Sequence, residues 1–482
     1  AAIWLDAPYR EEPVVYRAPG EARPAAVRYH TWQPTDTCVL RFRAFAGRAD
    51  RHAYNAPLRE AYAALQDGHP LRPWTAPAEA AELAAHGLLR WHYRAEHAAL
   101  FETAAFDRET IGKRGDRAHM HVGWISGTPW AAALLGYGRR KDRAAEVAAG
   151  TAVLDKIVTG VAPCGAFWGE WHADAGWRPG WNPGGTLHAR TLGEATLFLL
   201  RALAAERRAG VDHQSWEAAA RSNLEFVARR QREDGNCGSY YDPHTGSVTG
   251  WDGAAGIGWV AALAEGSALL DEPGWLAAAE RAGAYYARFV EGELIYGAPE
   301  DVHLTPTSED GYGAVIAYVA LHAATATARW LDLARRAADW MLTFRYAYNV
   351  RFPDRTLLAA YDFRTRGADQ ASPSNQHLHA YGLICLPEML RLWRLTGDGY
   401  YLERTRDNLA CFLQFIARED GDFNAYQGMV SERFYQTDWG QAKGMLLSLS
   451  HAWSVGAVLH GCLAAAADDE AFPDGWAEEL RR

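Results

Sequence analysis

The sequence has 482 residues, of which 49% are hydrophobic and 22% are charged. This composition predicts a globular protein with a sizeable core, arranged as one large domain or as two to three ordinary ones. The formal net charge of −10 argues against binding to nucleic acid, which needs a basic surface, and no apolar run approaches the roughly 20 residues of a membrane span.

The chain begins with AAIWLDAPYR, which contains neither an initiator methionine nor an apolar signal core. We expect a processed or trimmed form of a soluble protein, and both a cytoplasmic and an exported location stay open. The six cysteines lie too far apart in sequence for a CxxC zinc or redox motif. We expect reduced thiols, with a disulfide or two as the alternative in an exported protein.

Residues 1–75 are expected to form an N-terminal extension that is partly strand. The segments VVYRAP, AAVRYHTW and CVLRFRAFA are short and β-like, with alternating apolar and polar residues in the second and third. The following segment, APLREAYAALQ, has the pattern of a short helix. The extension either packs on the rest of the chain or is the end of a truncated β-domain.

Apolar segments with helical periodicity recur along the rest of the chain. One set follows loops rich in glycine and tryptophan and is apolar on most sides, which predicts buried inner helices. These helices are expected to start near Thr128, His188, Gly253, Asp310, Asn375 and Gly440.

A second, amphipathic set alternates with the first and predicts outer helices that have one solvated face. Its members are expected at 77–104, 142–158, 213–231, 274–290, 328–343 and 399–416. The connections from inner to outer helices, such as GRRKDR, are short, whereas those from outer to inner helices are long.

Six inner and six outer helices predict an all-α fold, an (α/α)6 toroid over residues 76–470 that is followed by a C-terminal tail at 471–482. A single helix pair cannot bury its apolar side, whereas a closed ring buries all six inner helices. An open solenoid of helix pairs is the alternative. In a toroid, the long loops before the inner helices converge over one funnel.

The loops expected at this funnel are rich in carboxylates, indoles, amides and imidazoles. A sugar stacks its C–H face on Trp or Tyr and bonds its hydroxyls to polar side chains, and glycoside hydrolysis needs two carboxyl groups, one of them protonated. Flanking indoles can desolvate a carboxyl group and raise its pKa for this task. Glu170 in WGEW and Asp252 in GWDG have such neighbours.

The stretch LTPTSEDGYG places Glu309 and Asp310 where the fourth inner helix begins. Carboxylates at a helix start bind free backbone N–H groups, so a capping role and a catalytic role both stay open for these two residues and for Asp252.

Histidines occur near two other inner helices. His377 and His379 are expected in the first turn of the fifth inner helix, facing the funnel, with buried structural histidines as the alternative. His451 and Trp453 of SHAWSVG are expected two turns inside the sixth, where packing is the favoured role.

We expect no metal and no cofactor. HMH and HLH are weak metal signals, because residues two apart on a helix do not face one another. The sequence contains no HExxH motif, serine elbow or phosphate loop.

The six-pair repeat, together with TSEDGYG, the GWDG turn and the terminal SHAWSVG, resembles the six-hairpin glycosidases over about residues 77–466. This group includes unsaturated glucuronyl and rhamnogalacturonyl hydrolases and helical β-glucuronidase-like families. The resemblance implies a toroidal glycosidase. In the unsaturated uronyl hydrolases the acid pair consists of aspartates, to which Asp252 and Asp310 would correspond by residue type.

The sequence therefore predicts a glycoside hydrolase that acts on an oligosaccharide or polysaccharide fragment, with a uronic-acid-containing glycan as one option. The candidate catalytic residues are Glu170, Asp252, Glu309, Asp310 and His377. The candidate sugar-binding residues are Trp168, Trp171, His172, Arg178, Trp251, Asn375, Tyr435, Trp439 and Lys443.

Other activities of the same ring stay open. A polysaccharide lyase would use Asn375, His377 and Tyr381 for β-elimination, and a sugar 2-epimerase would use paired histidines such as His377 and His451. A pure carbohydrate-binding module is the non-enzymatic alternative. The expected partner is a carbohydrate substrate, without nucleic acid or membrane, and a homo-oligomer is compatible with the sequence.

Overall fold

The computed structural model describes residues 10–12, 26–28, 31–40, 44–106, 117–180, 182–300 and 305–481. Most of these residues belong to helices and the loops between them. The helices are α1 Asn55–Leu65, α2 Pro77–Gly87, α3 Thr128–Lys141, α4 Ala144–Val158, α5 Ala189–Arg208, α6 Gln214–Arg230, α7 Gly258–Leu269, α8 Pro273–Glu291, α9 Ser308–Thr325, α10 Ala328–Met341, α11 Leu357–Ala360, α12 Leu386–Thr396, α13 Gly399–Phe412, α14 Ala452–Ala465 and α15 Trp476–Glu479.

Short strands pair between the loops. They are β1 Arg10–Glu12, β2 Ala26–Arg28, β3 Tyr93–Arg94, β4 Ala99–Leu100, β5 Thr103–Ala105, β6 His119–His121, β7 Glu170–His172, β8 Gly176–Arg178, β9 Leu187–His188, β10 Tyr240–Tyr241, β11 Val248–Gly250, β12 Asp369–Gln370, β13 Leu378–His379 and β14 Leu449–His451. All of their pairings are antiparallel, and the sheets have two or three strands.

The inner helices α3, α5, α7, α9, α12 and α14 form a closed ring. Each packs on the next, and α14 returns to α3; the junctions around α12 are made partly by the 3₁₀ turn at Ala380–Cys385 that precedes it. At the α14–α3 junction Gly456 lies against the indole of Trp130, where an added Cβ would come within 2.5 Å of the ring. The predicted (α/α)6 toroid is confirmed.

The outer helices α4, α6, α8, α10 and α13 each follow the inner helix on which they pack, and α2 packs on α14 from the opposite end of the chain. Their buried residues recur on one face, as Trp330, Leu333, Ala334, Ala337 and Ala338 do in α10. The α2–α14 pair therefore joins the two ends of the helical repeat.

Three predicted helix boundaries are wrong. The outer helix expected at 77–104 ends at Gly87, because the chain then makes a π-helical turn and pairs as strands β3, β4 and β5. The sixth inner helix begins at Ala452 rather than near Gly440, because residues 449–451 pair with β5. The fifth begins as a 3₁₀ turn at Ala380, after the extended β13.

The predictions for the first 75 residues have mixed outcomes. AAVRYHTW contains strand β2, and APLREAYAALQ is helix α1, as expected. VVYRAP lies outside the described residues. The described parts of CVLRFRAFA, at 38–40 and 44–46, are not strand. None of the helices in the described ranges combines the length and hydropathy that crossing a bilayer requires.

Helix α1 is held to the ring by a polar cluster around Asp339 of α10. Its carboxylate accepts hydrogen bonds from Asn55 at 2.7 Å and from Arg59 at 3.1 Å. His52, just before α1, bridges Asp339 at 3.0 Å and Glu293 at 2.8 Å. Hydrogen bonds to Asp339 and Glu293 raise the pKa of His52 to about 9.

This bridge makes stability depend on pH. Since the folded state raises the pKa of His52 above its usual 6.5, its contribution is fully present below pH 6.5 and is lost as the pH rises through about 9. We expect His52→Gln to lower the free energy of unfolding by on the order of 1 kcal/mol at pH 6, because solvent screens the partly exposed pair. Urea unfolding from pH 6 to 10 measures the difference.

The control for this experiment is His86→Gln, at an exposed position in α2. The difference in the free energy of unfolding between wild type and His52→Gln should decrease as the pH rises from 7 to 10. His86→Gln should have the unfolding free energy of wild type at every pH. A gap that stays constant with pH would show that the His52 imidazolium does not hold α1 to the ring.

Candidate active site

A cavity of about 490 Å³ opens where the loops before the inner helices meet. Ionisable side chains from widely separated segments converge on it. Its lining includes the carboxylates Glu102, Glu170, Glu309 and Glu432, the imidazoles His119, His172, His377, His379 and His451, the guanidinium groups Arg117 and Arg433, the indoles Trp124 and Trp453, and the polar residues Thr307, Ser372 and Asn375.

Strand β7 directs the side chains of Glu170 and His172 into this cavity and that of Trp171 away from it. Successive side chains of a strand point to opposite faces, so Glu170 and His172 share the cavity face. Trp171 points the other way, where the Lys156 ammonium lies 3.6 Å from its ring centre. On the neighbouring strand β6, His119 pairs with His172, and their rings stack at 4.9 Å.

Glu170 is nearly fully buried at 3% exposure. Its Oε2 accepts a hydrogen bond from Nε2 of His172 at 2.8 Å. Its Oε1 is buried and has no hydrogen-bond partner among the residues that the structure describes. Within the described part of the chain, no guanidinium or ammonium group forms an ion pair with Glu170. One carboxyl oxygen is therefore held by His172, and the other is left for a ligand.

Glu102 lies in a different environment. It is buried, and it contacts His119 and, at 2.5 Å, Nη1 of Arg117. Although burial raises its pKa, the hydrogen bond from His119 and the positive charges of His451, His119 and Arg117 hold the pKa of Glu102 at about 2. Glu102 is therefore an anion at every pH where the protein would work.

His451 links Glu102 to a second ion pair. Its Nε2 lies 3.8 Å from Glu102 and 3.4 Å from Glu432, whose Oε1 accepts from Arg433 at 2.9 Å. His451 lies at the N-cap position, directly before α14, and not two turns inside the helix, so the prediction of an interior position is wrong. Strand pairing at 449–451 brings its imidazole to the cavity wall.

Glu309 reaches the cavity from the first turn of α9 and pairs with Arg190, at 2.5 Å from its Nη1. Arg190 is 2% exposed and also bonds Glu194 at 2.9 Å. Its guanidinium lies 4.7 Å from the ring centre of Trp124, which lines the cavity. Arg190 therefore positions both a carboxylate and an indole of the site.

Asp310 caps the helix. Its Oδ2 accepts from the backbone N–H and the hydroxyl of Thr307, at 2.9 and 2.7 Å, and its Oδ1 accepts from the N–H of Ala298 at 2.8 Å. Complete burial raises the pKa of Asp310 to about 7, against the effect of these hydrogen bonds. Asp310 is absent from the cavity wall, so of the two adjacent acids only Glu309 faces it.

His377 and His379 lie in and next to strand β13, not on a helix as expected. Two residues apart on an extended chain, they face the same side, and both line the cavity with ring centres 6.0 Å apart. Burial lowers the pKa of both imidazoles, further for His377, which also faces Arg433. Both histidines are therefore neutral near pH 7.

The remaining predicted residues lie away from the cavity wall. Asp252 is exposed and accepts from Tyr296 at 2.9 Å, and Trp251 lies 4.8 Å from the guanidinium of Arg232. The other residues that do not line the cavity are Trp168, which contacts His244, the exposed Arg178, the buried Tyr435, Trp439, which stacks behind His377 at 5.7 Å, and Lys443.

The sequence prediction missed Glu102 and gave His451 a structural role. Glu102 fell inside a segment expected to be helical, and no motif marks it. The alternation of polar and apolar residues in HMH, at 119–121, does indicate a strand, and this strand carries His119 to the cavity. Among the described residues, no cluster of three or more His, Cys, Asp or Glu side chains has the geometry to hold a metal ion.

No family model matches the sequence, and no curated protein matches it. Solved structures with the same fold include a D-mannose isomerase, with a TM-score of 0.56 and 10% identity, over 80% of this chain and 96% of the isomerase. A GH76 α-mannanase from Bacteroides thetaiotaomicron has a TM-score of 0.56 and 11% identity, over 83% and 98% of the two chains. A cellobiose 2-epimerase from Spirochaeta thermophila gives 0.53 and 11%, over 82% and 98%.

These similarities establish a shared architecture. TM-scores of 0.53–0.56 over nearly the whole length of each structure show that the chain has the same toroidal fold as these proteins. The matched proteins catalyse different reactions, so the fold alone does not select one of them.

The cap formed by Asp310 is testable by its effect on stability. Asp310→Ala removes a capping box and leaves buried N–H groups of Thr307 and Ala298 without an acceptor. We expect a loss of about 2–4 kcal/mol in the free energy of unfolding, measured by urea denaturation.

Asp332→Ala, at an exposed position of α10, is the matched control and should change stability by less than about 0.5 kcal/mol. Equal losses for the two variants would contradict the capping role of Asp310.

Proposed function

We propose that the chain is a carbohydrate-active enzyme, and specifically a glycoside hydrolase that acts on an oligosaccharide or polysaccharide fragment in this cavity. The observation that carries the proposal is the contrast between its carboxyl groups. Glu309, Glu102 and Glu432 are each paired with a guanidinium, whereas among the described residues Glu170 has a histidine as its single partner and one buried, unpartnered oxygen. Glycosidases need such a contrast, because one carboxyl group must give a proton while the other stays ionised.

In this proposal Glu170 is the general acid. Its Oε1 is the oxygen left to meet the glycosidic oxygen of a bound sugar, and the hydrogen bond from His172 fixes the rotamer of the side chain. Proton transfer to the glycosidic oxygen makes the departing sugar a neutral alcohol. His172, whose side chain is partly exposed, is placed to take a proton from water and pass it to Glu170 after each turnover.

Glu309 is the proposed partner carboxylate. Its pairing with the buried Arg190 fixes its position, so that it can activate a water molecule or lie opposite the cationic sugar ring of the transition state. The indoles of Trp124 and Trp453 offer flat surfaces for the C–H faces of the sugar, and Asn375 and Ser372 offer hydrogen bonds to its hydroxyls. The shared toroid of the α-mannanase supports a glycan substrate.

A second candidate function is sugar isomerisation or 2-epimerisation. It is favoured by the cluster of His377, His379 and His451, of which the first two are kept neutral by burial. A neutral imidazole can take a proton from the carbon next to a sugar carbonyl. The D-mannose isomerase and the cellobiose 2-epimerase share the fold, which is compatible with this reaction.

The lyase alternative has less support. Asn375 and His377 line the cavity, but Tyr381 is fully buried, and its hydroxyl donates to Glu194 at 3.0 Å. A phenol held in the core cannot reach the carbon next to a uronate carboxyl group. Elimination would need a different acid from the one proposed from the sequence.

The proposed hydrolase is tested by Glu170→Gln, which keeps the shape and removes the transferable proton. We expect the release of reducing ends from mannan, glucan and uronate oligosaccharides to fall about 10²–10⁴-fold in kcat/KM, with substrate binding retained. Reducing-end assays and calorimetry measure the two quantities. Asp252→Asn, an exposed acid outside the cavity, is the control and should keep wild-type activity.

Three outcomes would contradict the proposal. Glu170→Gln could cleave as fast as wild type, which would refute Glu170 as the general acid. Absorbance of a conjugated double bond could grow on a uronate polymer, which identifies a lyase. Solvent deuterium could enter a sugar carbon without the release of any fragment, which identifies an isomerase or epimerase.

A further inference from the structure

A second cavity, of about 550 Å³, lies between α1 and the segment 342–348 that follows α10. We call it the tyrosine groove, because Tyr62, Tyr346, Tyr348 and Tyr400 line it together with Phe344. It is separated from the active-site cavity by the loop 370–375. Residues 371, 372 and 375 of this loop line the active-site cavity, whereas residues 370 and 373 line the groove.

Arg404 of α13 lines the groove and is only 2% exposed. Its Nη2 donates to the backbone carbonyl of Arg345 at 2.7 Å, but its Nε is buried without a hydrogen-bond partner. No ion pair joins its guanidinium to any carboxylate in the described ranges. A buried cation that lacks a counter-charge carries a large desolvation cost.

Two neighbouring buried arginines, unlike Arg404, have carboxylate partners. Arg345 forms a bidentate pair with Asp369 at 2.7 and 2.9 Å, and Arg366 forms another with Asp407. Arg404 has instead the ring of Tyr62, at 4.6 Å from its guanidinium. A tyrosine ring attracts a cation without neutralising it.

The charged groups of the two cavities differ. Four carboxylates and the guanidinium groups of Arg117 and Arg433 line the active-site cavity, whereas no Asp or Glu is found among the described residues that line the groove. The charged groups among the described residues that line the groove are Arg404 and Arg345, and Arg345 is already paired with Asp369. In a chain with a net charge of −10, the remaining charge of Arg404 is suited to a negatively charged ligand. Tyr348, which is 44% exposed, adds an aromatic surface at its opening.

We propose that the tyrosine groove is a binding site for a carboxylate-bearing sugar unit, part of the same glycan whose neighbouring units enter the active-site cavity. The sugar carboxylate supplies the counter-ion that Arg404 lacks, in a charge-assisted hydrogen bond. The tyrosine rings pack on the sugar face. Because residues of the loop 370–375 line both cavities, the cavities are adjacent, and one glycan chain can extend over this loop from one cavity to the other. The identity of this ligand rests on the proposed action on glycans.

Calorimetry in the Glu170→Gln background tests the groove without cleavage. The probes are a glucuronic acid trimer, the glucose trimer of the same linkage, and inorganic phosphate. We expect the uronate trimer to bind at least about 10-fold more tightly than the glucose trimer, and Arg404→Met to abolish that preference. Tyr348→Ala should weaken both trimers several-fold. Arg229→Met, an exposed arginine of α6, is the control and should change nothing.

Arg404→Met is checked for folding by its circular dichroism and unfolding midpoint. If it does not fold, Arg404→Lys, which keeps the charge but loses the planar donor pair, and the exposed Tyr348→Ala carry the test. Equal affinity for the two trimers would overturn the proposal. So would a uronate preference that survives loss of Arg404, or phosphate binding as tight as that of the uronate trimer.

The groove and the catalytic proposal can fail separately. If the protein prefers uronate in a way that depends on Arg404 but cleaves no glycan, the proposed uronate site in the groove is supported and the proposed hydrolase activity is refuted. Glycan cleavage that depends on Glu170, without any uronate preference, would refute the groove alone.

Discussion

The inner helices of this protein are apolar on nearly every side, and no helix pair can bury such a surface by itself. Closing the ring resolves this, and the closure depends on the close approach of α14 to α3, where Gly456 lets the backbone rest on the indole of Trp130. A similar approach brings Gly193 of α5 against the backbone of Gly258 at the start of α7, where an added Cβ would come within 2.7 Å. Small residues at these crossings set the ring diameter, and the ring in turn fixes the point on which the loops converge.

At the mouth of the ring, short antiparallel strands determine which side chains meet. Strand β7 turns Glu170 and His172 toward the cavity and Trp171 away from it, and β14 brings His451 to the same wall by pairing with β5. Residues more than 300 positions apart in sequence, such as Glu102 and His451, come within 3.8 Å in this way. The two-residue period of these strands is therefore as important for the site as the helical period is for the fold.

The electrostatics of the molecule divide into two adjacent regions. In the active-site cavity, Glu102, Glu309 and Glu432 are compensated by arginines, and Glu170 is the acid that lacks one. In the tyrosine groove the imbalance is reversed, since Arg404 is a buried cation that has no acidic partner in the described part of the chain. Among the described residues, Glu170 in one region and Arg404 in the other lack an oppositely charged Arg or acidic partner, and in our proposal a bound sugar contacts both.

By itself, the sequence determined the toroid, because helical periodicity is a local property that six repeats display clearly. It also indicated Glu170, Glu309 and His377 as residues of the convergent loops, and they do lie in one cavity. It did not separate Glu309 from Asp310, since adjacent residues at a helix start differ only in the direction of their side chains. Nor did it show that Asp252 points to solvent, that Glu102 and His451 line the cavity, or that Arg404 is unpaired. These features arise from strand pairings and contacts between distant segments, and only the tertiary structure decides them.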